Sequence, residues 1–462
     1  MDKLLKTMNL INQCLGVRYL STSINNLTKY LTNPVYGSLE VQRTEMLNGI
    51  KVAAAKRLGA QITACTIMFQ AGSRYEQDNN LGATHFIRAM SASSGCAYTG
   101  YGKMRLLHQR GAFLTCTSDR QSMAFTLRCT IDDFPELKYY LLDTAVRCCF
   151  HEWEVTDIKP FIKDNLLRIH PEQRVLDLLQ RAFWAGPLGN SVFCEESRVD
   201  GMLGTYLKDF VKNFRSDRCS VTSVGLPYEE TLKLAETIEF IQDKSCARQI
   251  GASFPRAGFE YYDLGRDSDV WIALAVPGCG AYDMSSLFKH SIVAAACGVG
   301  HAQVGQHRLD HIAQAPLGLL TKDIYTEFRA FNISYMECGI FGILAKTRAC
   351  SAGQVARLAA KFLSNVKELN PQQIEVGKRR LKLNIAIQEE DCVKASESLA
   401  LQEANNIQID GLHSSFRIID SISTDEILET ARAISSKKKG MAIAVVGDIA
   451  AVPHDRELLE DI

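Results

Sequence analysis

The order of predicted strands, turns and helices in the first half of this 462-residue chain is repeated in the second half. In the first half, an apolar segment at Ile62–Phe69 leads into a turn at Ala71–Glu76. In the second half, Val270–Val276 leads into Pro277–Asp283, and a helical segment follows each turn. Because a chain of this length is too long for one ordinary core, the repetition predicts two related domains.

A predicted β-hairpin comes next in each half. The first joins Ala112–Ser118 to Met123–Cys129, whose apolar and polar side chains alternate as they do in half-buried strands. The second joins Ala330–Tyr335 to Ile340–Ala345. An amphipathic helix is predicted after each hairpin, because apolar side chains recur there at helical spacing. These side chains are Leu137, Leu141, Ala145 and Cys148 in the first half, and Val355, Leu358, Phe362 and Val366 in the second.

The distance between equivalent landmarks grows slowly along the chain, from 207 to 222 residues. The paired landmarks are Tyr75 with Tyr282, Phe113 with Phe331, and Gly225 with Gly447. This pattern predicts an α+β fold made by duplication of a unit of about 200 residues; two unrelated α+β domains are the alternative. We expect the first domain at residues 37–241, a linker at 242–258, and the second domain at 259–462.

Composition and charge exclude several classes of protein. The 52 basic and 52 acidic side chains balance, which gives no electrostatic basis for binding nucleic acid. The longest apolar stretches, Ser291–Gly300 and Met441–Val452, are about half of the ~20 residues that span a bilayer, so we expect no transmembrane span. The 15 cysteines include no C-x-x-C pair, and we expect them to be small buried side chains.

The first 20 residues differ from the rest of the chain. Their basic side chains, Lys3, Lys6 and Arg18, outnumber the single acid Asp2, and apolar residues recur at helical spacing. A basic amphipathic segment of this kind is typical of a mitochondrial transit peptide. We expect residues 1–20 to be removed by cleavage near Ser21; a surface helix of the mature protein is the alternative.

The peptide Leu81–Met90 is the segment most informative about chemistry, and it opens a helix after the first strand and turn. It resembles the zinc-binding helix of the pitrilysin (insulinase) peptidase family, which carries H-x-x-E-H. There, two histidines at i and i+4 hold zinc and the glutamate activates a bound water. His85 matches the first histidine, but Arg88 replaces the glutamate and Ala89 replaces the second histidine. Arginine stays cationic and alanine offers no ligand, so we expect no metal and no catalytic residue here.

The family's third zinc ligand is a glutamate about 75–80 residues downstream of the first histidine. The corresponding window, residues 161–168, holds no glutamate, and Asp164 is the alternative acid. A second candidate metal site is H-x-x-D-H at His307, Asp310 and His311, with His301 nearby. It lies in a stretch rich in glycine and glutamine, which favours a solvated loop.

The resemblance implies two α+β domains packed as a clam around a cavity. Phe150–Ile158, Pro187–Glu195 and Val446–Leu458 look most like the branch that forms core subunits of mitochondrial respiratory complex III. Such a subunit is not an enzyme, holds no cofactor and lies on the matrix side of the inner membrane. By this resemblance its partners are a core protein 1 homologue, cytochrome b, cytochrome c1 and the iron–sulfur subunit.

The resemblance leaves two alternatives. One is the non-catalytic alpha subunit of the mitochondrial processing peptidase, which binds presequences through a glycine-rich loop. The corresponding stretch here has only scattered glycines, such as Gly298, Gly300 and Gly305. The other is an active metallopeptidase, which would have to work despite Arg88 and Ala89.

Overall fold

The computed structural model describes residues 40–57, 59–240, 251–300, 315–321, 323, 325–409, 411–437 and 440–460. The strands in this part of the chain are β1 Glu40–Glu45, β2 Lys51–Lys56, β3 Ile62–Phe69, β4 Phe113–Ser118, β5 Met123–Thr130, β6 Trp184–Ala185, β7 Cys219–Val224, β8 Phe254–Pro255, β9 Phe259–Asp263, β10 Val270–Pro277, β11 Val299–Gly300, β12 Glu327–Ser334, β13 Gly339–Thr347 and β14 Ala442–Gly447. The α-helices are α1 Ala83–Ala89, α2 Gly100–Gln109, α3 Phe134–Ala145, α4 Glu152–Arg168, α5 Pro171–Phe183, α6 Glu196–Val199, α7 Gly204–Val211, α8 Tyr228–Glu236, α9 Met284–Cys297, α10 Ala349–Ser364, α11 Pro371–Glu390, α12 Cys392–Ala404, α13 Gly411–Ser421, α14 Thr424–Ser436 and α15 Asp455–Glu460. The predicted transit peptide and the histidines at 301, 307 and 311 lie outside the described residues.

Two six-stranded sheets organise the molecule. The first has the order β1-β2-β7-β3-β5-β4, and the second has the order β11-β12-β13-β10-β14-β9. In the first sheet β2 and β7 run parallel and the other neighbours run antiparallel. In the second sheet β9 and β14 are the parallel pair. The series β2-β7-β3-β5-β4 therefore recurs as β9-β14-β10-β13-β12 with the same directions, which confirms the predicted repetition of an α+β unit.

The strand register shows which residues are equivalent in the two halves. Gly225, directly after β7, and Gly447, the last residue of β14, both have positive φ, 92° and 132°, a conformation that favours glycine. One row of paired residues crosses each sheet beside these glycines. The rows are Ala55-Val224-Ala64-Arg128-Phe113 and Tyr262-Val446-Trp271-Lys346-Glu327. Phe113 therefore corresponds to Glu327, and its predicted pairing with Phe331 is wrong by four residues.

Each sheet has one face covered by helices of its own half. In the first half, Ile67, Phe69 and Phe125 lie in a core that also includes side chains of α1, α3 and α4. In the second half, Leu274 and Ile343 belong to the equivalent core with side chains of α9, α10 and α14. Each buried side chain of this size contributes about 1.5–3 kcal/mol to folding, so these two cores supply much of the stability of the two units.

The opposite face of each sheet is covered by a helix from the other half. Helix α5 of the first half lies on β10 and β14, where Leu179 and Phe183 pack against Ala273 and Ala444. Helix α12 of the second half lies on β3 and β7. The two helices begin 221 residues apart, so they are equivalent elements of the duplication. This exchange places an apolar interface between the halves, and the sequence pattern did not predict it.

Polar contacts also fix α12 on the first sheet. The Ser396 hydroxyl is 2.9 Å from the Thr66 hydroxyl, and Thr222 donates to the Ser396 carbonyl at 2.9 Å. At the sheet edge Arg43 pairs with Glu403 at 2.6 Å. Buried hydroxyls are stable only when hydrogen-bonded, so these contacts define one position of the helix. Among the helices of the described residues, none is both long enough and apolar enough to cross a bilayer.

Candidate functional site

The segment that resembles a zinc-binding helix forms α1, as predicted. Gly82 precedes it with φ of 93°, and a Cβ atom at this position would lie 2.5 Å from the Cys194 Sγ. Glycine is therefore required at this position for two reasons, the backbone conformation and the close packing against Cys194. The packing brings the segment from Pro187 to Glu195 against the start of the helix.

A buried carboxylate caps the N-terminus of α1. Glu76 accepts hydrogen bonds from the Gly82 N–H at 2.9 Å, the Thr84 N–H at 2.8 Å and the Thr84 hydroxyl at 2.6 Å. These groups satisfy donors that a helix start leaves free. Burial raises the pKa of Glu76 to about 7, while the hydrogen bonds and the charge of Arg88 lower it. Glu76 therefore serves as the cap that positions α1.

His85 is buried, with 2% of its surface exposed, and both ring nitrogens are engaged. Its Nδ1 accepts a hydrogen bond from the Cys194 N–H at 3.2 Å. Burial and then the charge of Arg88 lower the pKa of His85 to about 3, while a hydrogen bond with Asn165 raises it. In this neutral ring Nε2 carries the proton and donates to the Asn165 side chain. A zinc-ligating histidine instead donates its second N–H to an acceptor, whereas Nδ1 of His85 faces a donor.

Arg88 and Ala89 occupy the positions predicted for them one turn along α1. The Arg88 guanidinium donates to the Ser118 hydroxyl at 2.7 Å, and its Cζ lies 5.6 Å from the centre of the Phe193 ring. The same ring lies edge-on to His85, with 5.8 Å between ring centres. Ala89 is half-buried and packs against the core of the first half. A cation and a methyl group therefore stand where a base and an imidazole are expected.

The third position is occupied by Asn165, which the sequence analysis did not identify. It lies on α4, 80 residues after His85, and its side chain contacts the His85 ring. Asp164, the alternative acid, is exposed and pairs with Arg168 at 3.0 Å. The spacing between His85 and Asn165 could have identified this residue, because 80 residues lies within the interval at which the family's third ligand is expected. Asn165 was missed because only acidic side chains were considered there.

The residues at these positions do not match the zinc ligands and the base of an active peptidase of the family that this chain resembles. The fit fails on three observations: a donor faces His85 Nδ1, Arg88 places a cation beside it, and Ala89 has no donor atom. Within the described ranges, no group of three or more His, Cys, Asp or Glu side chains is placed to hold a metal ion. The arrangement can anchor α1 to α4, and the side chain at the position of the family's base, Arg88, cannot accept a proton.

A cavity of about 330 Å³ lies between the two halves, next to this site. Ser118, which accepts from Arg88, is part of its wall. The other lining residues are Asp119, Arg120, Gln121, Gln180, Val192, Ile333, Ser334, Tyr335, Leu401 and Asn405. They come from both halves, in agreement with the predicted clam-like arrangement around a cavity.

An ion pair and hydrogen bonds join the two halves near the cavity. Arg74 of the first half pairs with Glu337 of the second half at 3.1 Å. The Tyr335 hydroxyl bonds to Gln180 across the boundary, and the Met336 N–H donates to Gln121 at 3.0 Å. These contacts join residues of different halves, so they would be lost if the halves separated.

Comparisons with known proteins agree with the fold. A sequence model of the insulinase family (peptidase family M16) matches residues 51–196. Subunit 2 of the mitochondrial cytochrome b-c1 complex from Homo sapiens is 26% identical, over 91% of this chain and 92% of its own. The alpha subunit of the mitochondrial-processing peptidase from Solanum tuberosum is 24% identical, over 90% of this chain and 83% of its own.

A solved structure supports the same fold. A chain of complex III2 from Candida albicans, determined with Inz-5 bound, superposes with a TM-score of 0.74. It is 16% identical and covers 91% of this chain and 99% of its own. The resemblance predicted from the Leu81–Met90 helix is confirmed. The chain has the fold of the M16 peptidase family and is similar, over nine-tenths of its length, to subunit 2 of the mitochondrial cytochrome b-c1 complex.

Proposed function

We propose that this chain is a structural core subunit of mitochondrial respiratory complex III, ubiquinol–cytochrome c reductase. It supports assembly and stability of the complex and is itself neither redox-active nor proteolytic. Its partners are a core protein 1 homologue, cytochrome b, cytochrome c1 and the iron–sulfur subunit. It lies on the matrix side of the inner membrane and holds no cofactor.

One observation carries the assignment to complex III. The similarity to subunit 2 of the cytochrome b-c1 complex extends over 91% of this chain and 92% of the human relative. Both halves and both interlocking helices therefore fall within the matched length. A scaffold must keep its whole shape to present its outer surfaces to partners, and a similarity confined to one site would not support this role.

The geometry of α1 supports the non-catalytic part of the proposal. Hydrolysis in the M16 manner needs a held metal and a base next to its bound water. Here the base position is Arg88, which cannot accept a proton, and the remaining imidazole of His85 is hydrogen-bonded on Nδ1 by a backbone donor. The residues of the ancestral site now contact one another and hold α1 against α4.

Import into mitochondria would depend on the basic amphipathic segment at residues 1–20. Cleavage near Ser21 would remove it, leaving the two domains predicted at residues 37–241 and 259–462 with their linker at 242–258. A subunit placed in the matrix in this way needs no membrane span of its own, because the partner subunits can anchor it.

Co-purification tests the proposed role. The full chain carries a C-terminal tag, mitochondrial membranes are extracted in mild detergent, and the bound proteins are identified by mass spectrometry and by the haem absorption spectrum. We expect cytochrome b and cytochrome c1 in amounts equal to the tagged chain. A tagged chain that elutes from the soluble fraction without haem contradicts the proposal.

The second candidate is the presequence-binding alpha subunit of the mitochondrial processing peptidase. The 24% identity to the potato alpha subunit, over 90% of this chain, is the observation that favours it. The same purification separates the two functions. A soluble heterodimer that cleaves presequence peptides supports the peptidase subunit, whereas a membrane complex that contains haem supports the core subunit.

A further inference from the structure

Two thiols lie side by side at the surface of the first half, away from the cavity. Cys96 is exposed and lies in the loop that follows α1, and Cys149 lies in the segment before α4. The two side chains are in hydrogen-bond contact. We propose that Cys96 and Cys149 form a reversible disulfide, and that a low-molecular-weight disulfide such as glutathione disulfide oxidises them.

The backbone on both sides holds these thiols together. Gly95 and Cys148 form an antiparallel β-bridge, and the Cys96 N–H donates to the Arg147 carbonyl at 3.0 Å. The next N–H, of Ala97, donates to the Asp143 carboxylate at 3.0 Å. The loop is therefore pinned to the 143–149 segment at successive residues, and the two thiols meet without a large conformational change.

Two buried residues hold the segment that carries Cys149 in place. Asp143 is 1% exposed and pairs with the buried Lys103 at 3.3 Å, so the carboxylate that holds Ala97 cannot easily move. Phe150, directly after Cys149, has φ of 44° and is buried. A non-glycine residue persists in this region only where its surroundings determine it. Cys149 is therefore presented to Cys96 by a segment with little freedom.

The neighbouring Cys148 provides a contrast within the same segment. Its Sγ donates to the Thr144 carbonyl at 2.9 Å, so this thiol is engaged within its own segment. Burial, followed by the contact with Cys96, raises the pKa of Cys149 to about 11. Cys96 is exposed and Cys149 is only partly exposed, so Cys96 is the thiol that reacts first and Cys149 is the thiol that resolves the intermediate.

The chemistry balances in two exchange steps. The Cys96 thiolate attacks glutathione disulfide, so a mixed disulfide forms and one glutathione thiolate leaves. Cys149 then loses its proton to that thiolate, and its sulfur attacks the Cys96 sulfur. The second glutathione leaves as a thiolate that is protonated by solvent, and the protein disulfide remains. The two cysteines lose two electrons, and the glutathione disulfide gains them.

The bond would join the two elements that hold the ancestral site. The loop with Cys96 continues from α1, which carries His85, and the segment with Cys149 leads into α4, which carries Asn165. Oxidation therefore ties α1 to α4 at a second point beyond the His85–Asn165 contact. The disulfide depends only on the fold of the first half, so this inference does not rest on the proposed membership in complex III.

Peptide mapping of the full-length chain tests this inference. The protein is equilibrated with excess glutathione disulfide, free thiols are alkylated, and trypsin digestion is followed by mass spectrometry. Trypsin releases Cys96 in residues 89–103 and Cys149 in residues 148–163, because Pro160 blocks cleavage after Lys159. We expect these two peptides to be linked through Cys96 and Cys149, with Cys148 alkylated, and to separate after reduction with dithiothreitol.

Matched variants decide between specific pairing and incidental reactivity. Cys148→Ser should leave the linked fraction unchanged, whereas Cys149→Ser and Cys96→Ser should reduce it by at least ~10-fold. Wild-type protein reduced with dithiothreitol and the Cys148→Ser variant are the folding controls for the other two variants. A variant that does not fold like these controls is not used to judge the pairing. Linkage of Cys96 to Cys148, or glutathione bound to Cys96 without a protein disulfide, would overturn the inference.

Discussion

At the scale of single residues, the buried imidazole of His85 makes a testable contribution to pH dependence. Its pKa is lowered to about 3, so the folded protein keeps the ring neutral while the unfolded chain takes up a proton below about 6.5. Stability is therefore lost as the pH falls from about 6.5 towards 3. Between pH 7 and pH 5 this loss should be about 2 kcal/mol.

Urea unfolding of wild type and His85→Gln at both pH values measures this effect. The variant should lose less stability on acidification, because it has no imidazole to protonate at this position. Comparison with the variant is needed because Glu76 acts in the opposite direction, stabilising the fold as the pH falls from about 7 to 4.5. His108→Gln, which alters an exposed histidine, is the control. Equal acid sensitivity of His85→Gln and wild type contradicts the prediction.

The Glu76 carboxylate should stabilise the fold by accepting hydrogen bonds from the start of α1. In Glu76→Gln an NH2 group must face either the Gly82 or the Thr84 donor, and one buried hydrogen bond is lost. We expect a loss of about 1–3 kcal/mol at pH 8 in urea unfolding. Asp78→Asn changes an exposed acid nearby and should cost almost nothing. A neutral effect of Glu76→Gln would show that the cap does not hold α1 in place.

The sequence was sufficient to place His85, Arg88 and Ala89 along one helix, because helical spacing after a strand and turn is a local pattern. It could not predict the groups that face them. Cys194 is 109 residues from His85 and donates through its backbone, which carries no side-chain signal. Asn165 is an amide at a position where a carboxylate was sought. Both contacts depend on tertiary packing.

At the scale of elements, the exchange of α5 and α12 should couple the two halves energetically. Leu179 is fully buried between α5 and the second sheet. Leu179→Ala should destabilise the protein by about 2–5 kcal/mol through lost burial and a cavity. Hydrogen exchange should show loss of protection in β14, although this strand lies more than 250 residues away along the chain.

The control for this prediction is Gln173→Ala on the exposed face of the same helix. It removes no buried contact, and protection of β14 should be unchanged. Loss of protection confined to the first half in Leu179→Ala would mean that α5 does not stabilise the second sheet.

The sequence predicted the order of strands and the repetition, but it did not predict their register or the exchanged helices. A period of two residues defines the face of each side chain and leaves the partner on the next strand open. This ambiguity explains why Phe113 was paired with Phe331, where the ladder gives Glu327. An amphipathic pattern likewise shows that a helix buries one face without showing which half supplies the sheet.

At the scale of the whole molecule, the halves should not fold independently. A fragment of residues 259–462 lacks α5 and exposes the apolar face formed by Ala273, Leu344 and Val446. We expect this fragment to aggregate and to bind a hydrophobic dye, and co-expression with residues 37–258 to restore a soluble complex. Sedimentation and dye fluorescence measure this. A monomeric second half with a cooperative unfolding transition would contradict the interlocked arrangement.

Our central proposal for the whole molecule is that this peptidase fold holds no catalytic metal. The most direct test is the zinc content of the purified full-length chain after incubation with excess zinc and dialysis, measured by inductively coupled plasma mass spectrometry. We expect far less than one zinc per chain, and no difference between wild type and His85→Ala. One zinc per chain that is lost in His85→Ala, together with chelator-sensitive cleavage of peptides, would contradict it.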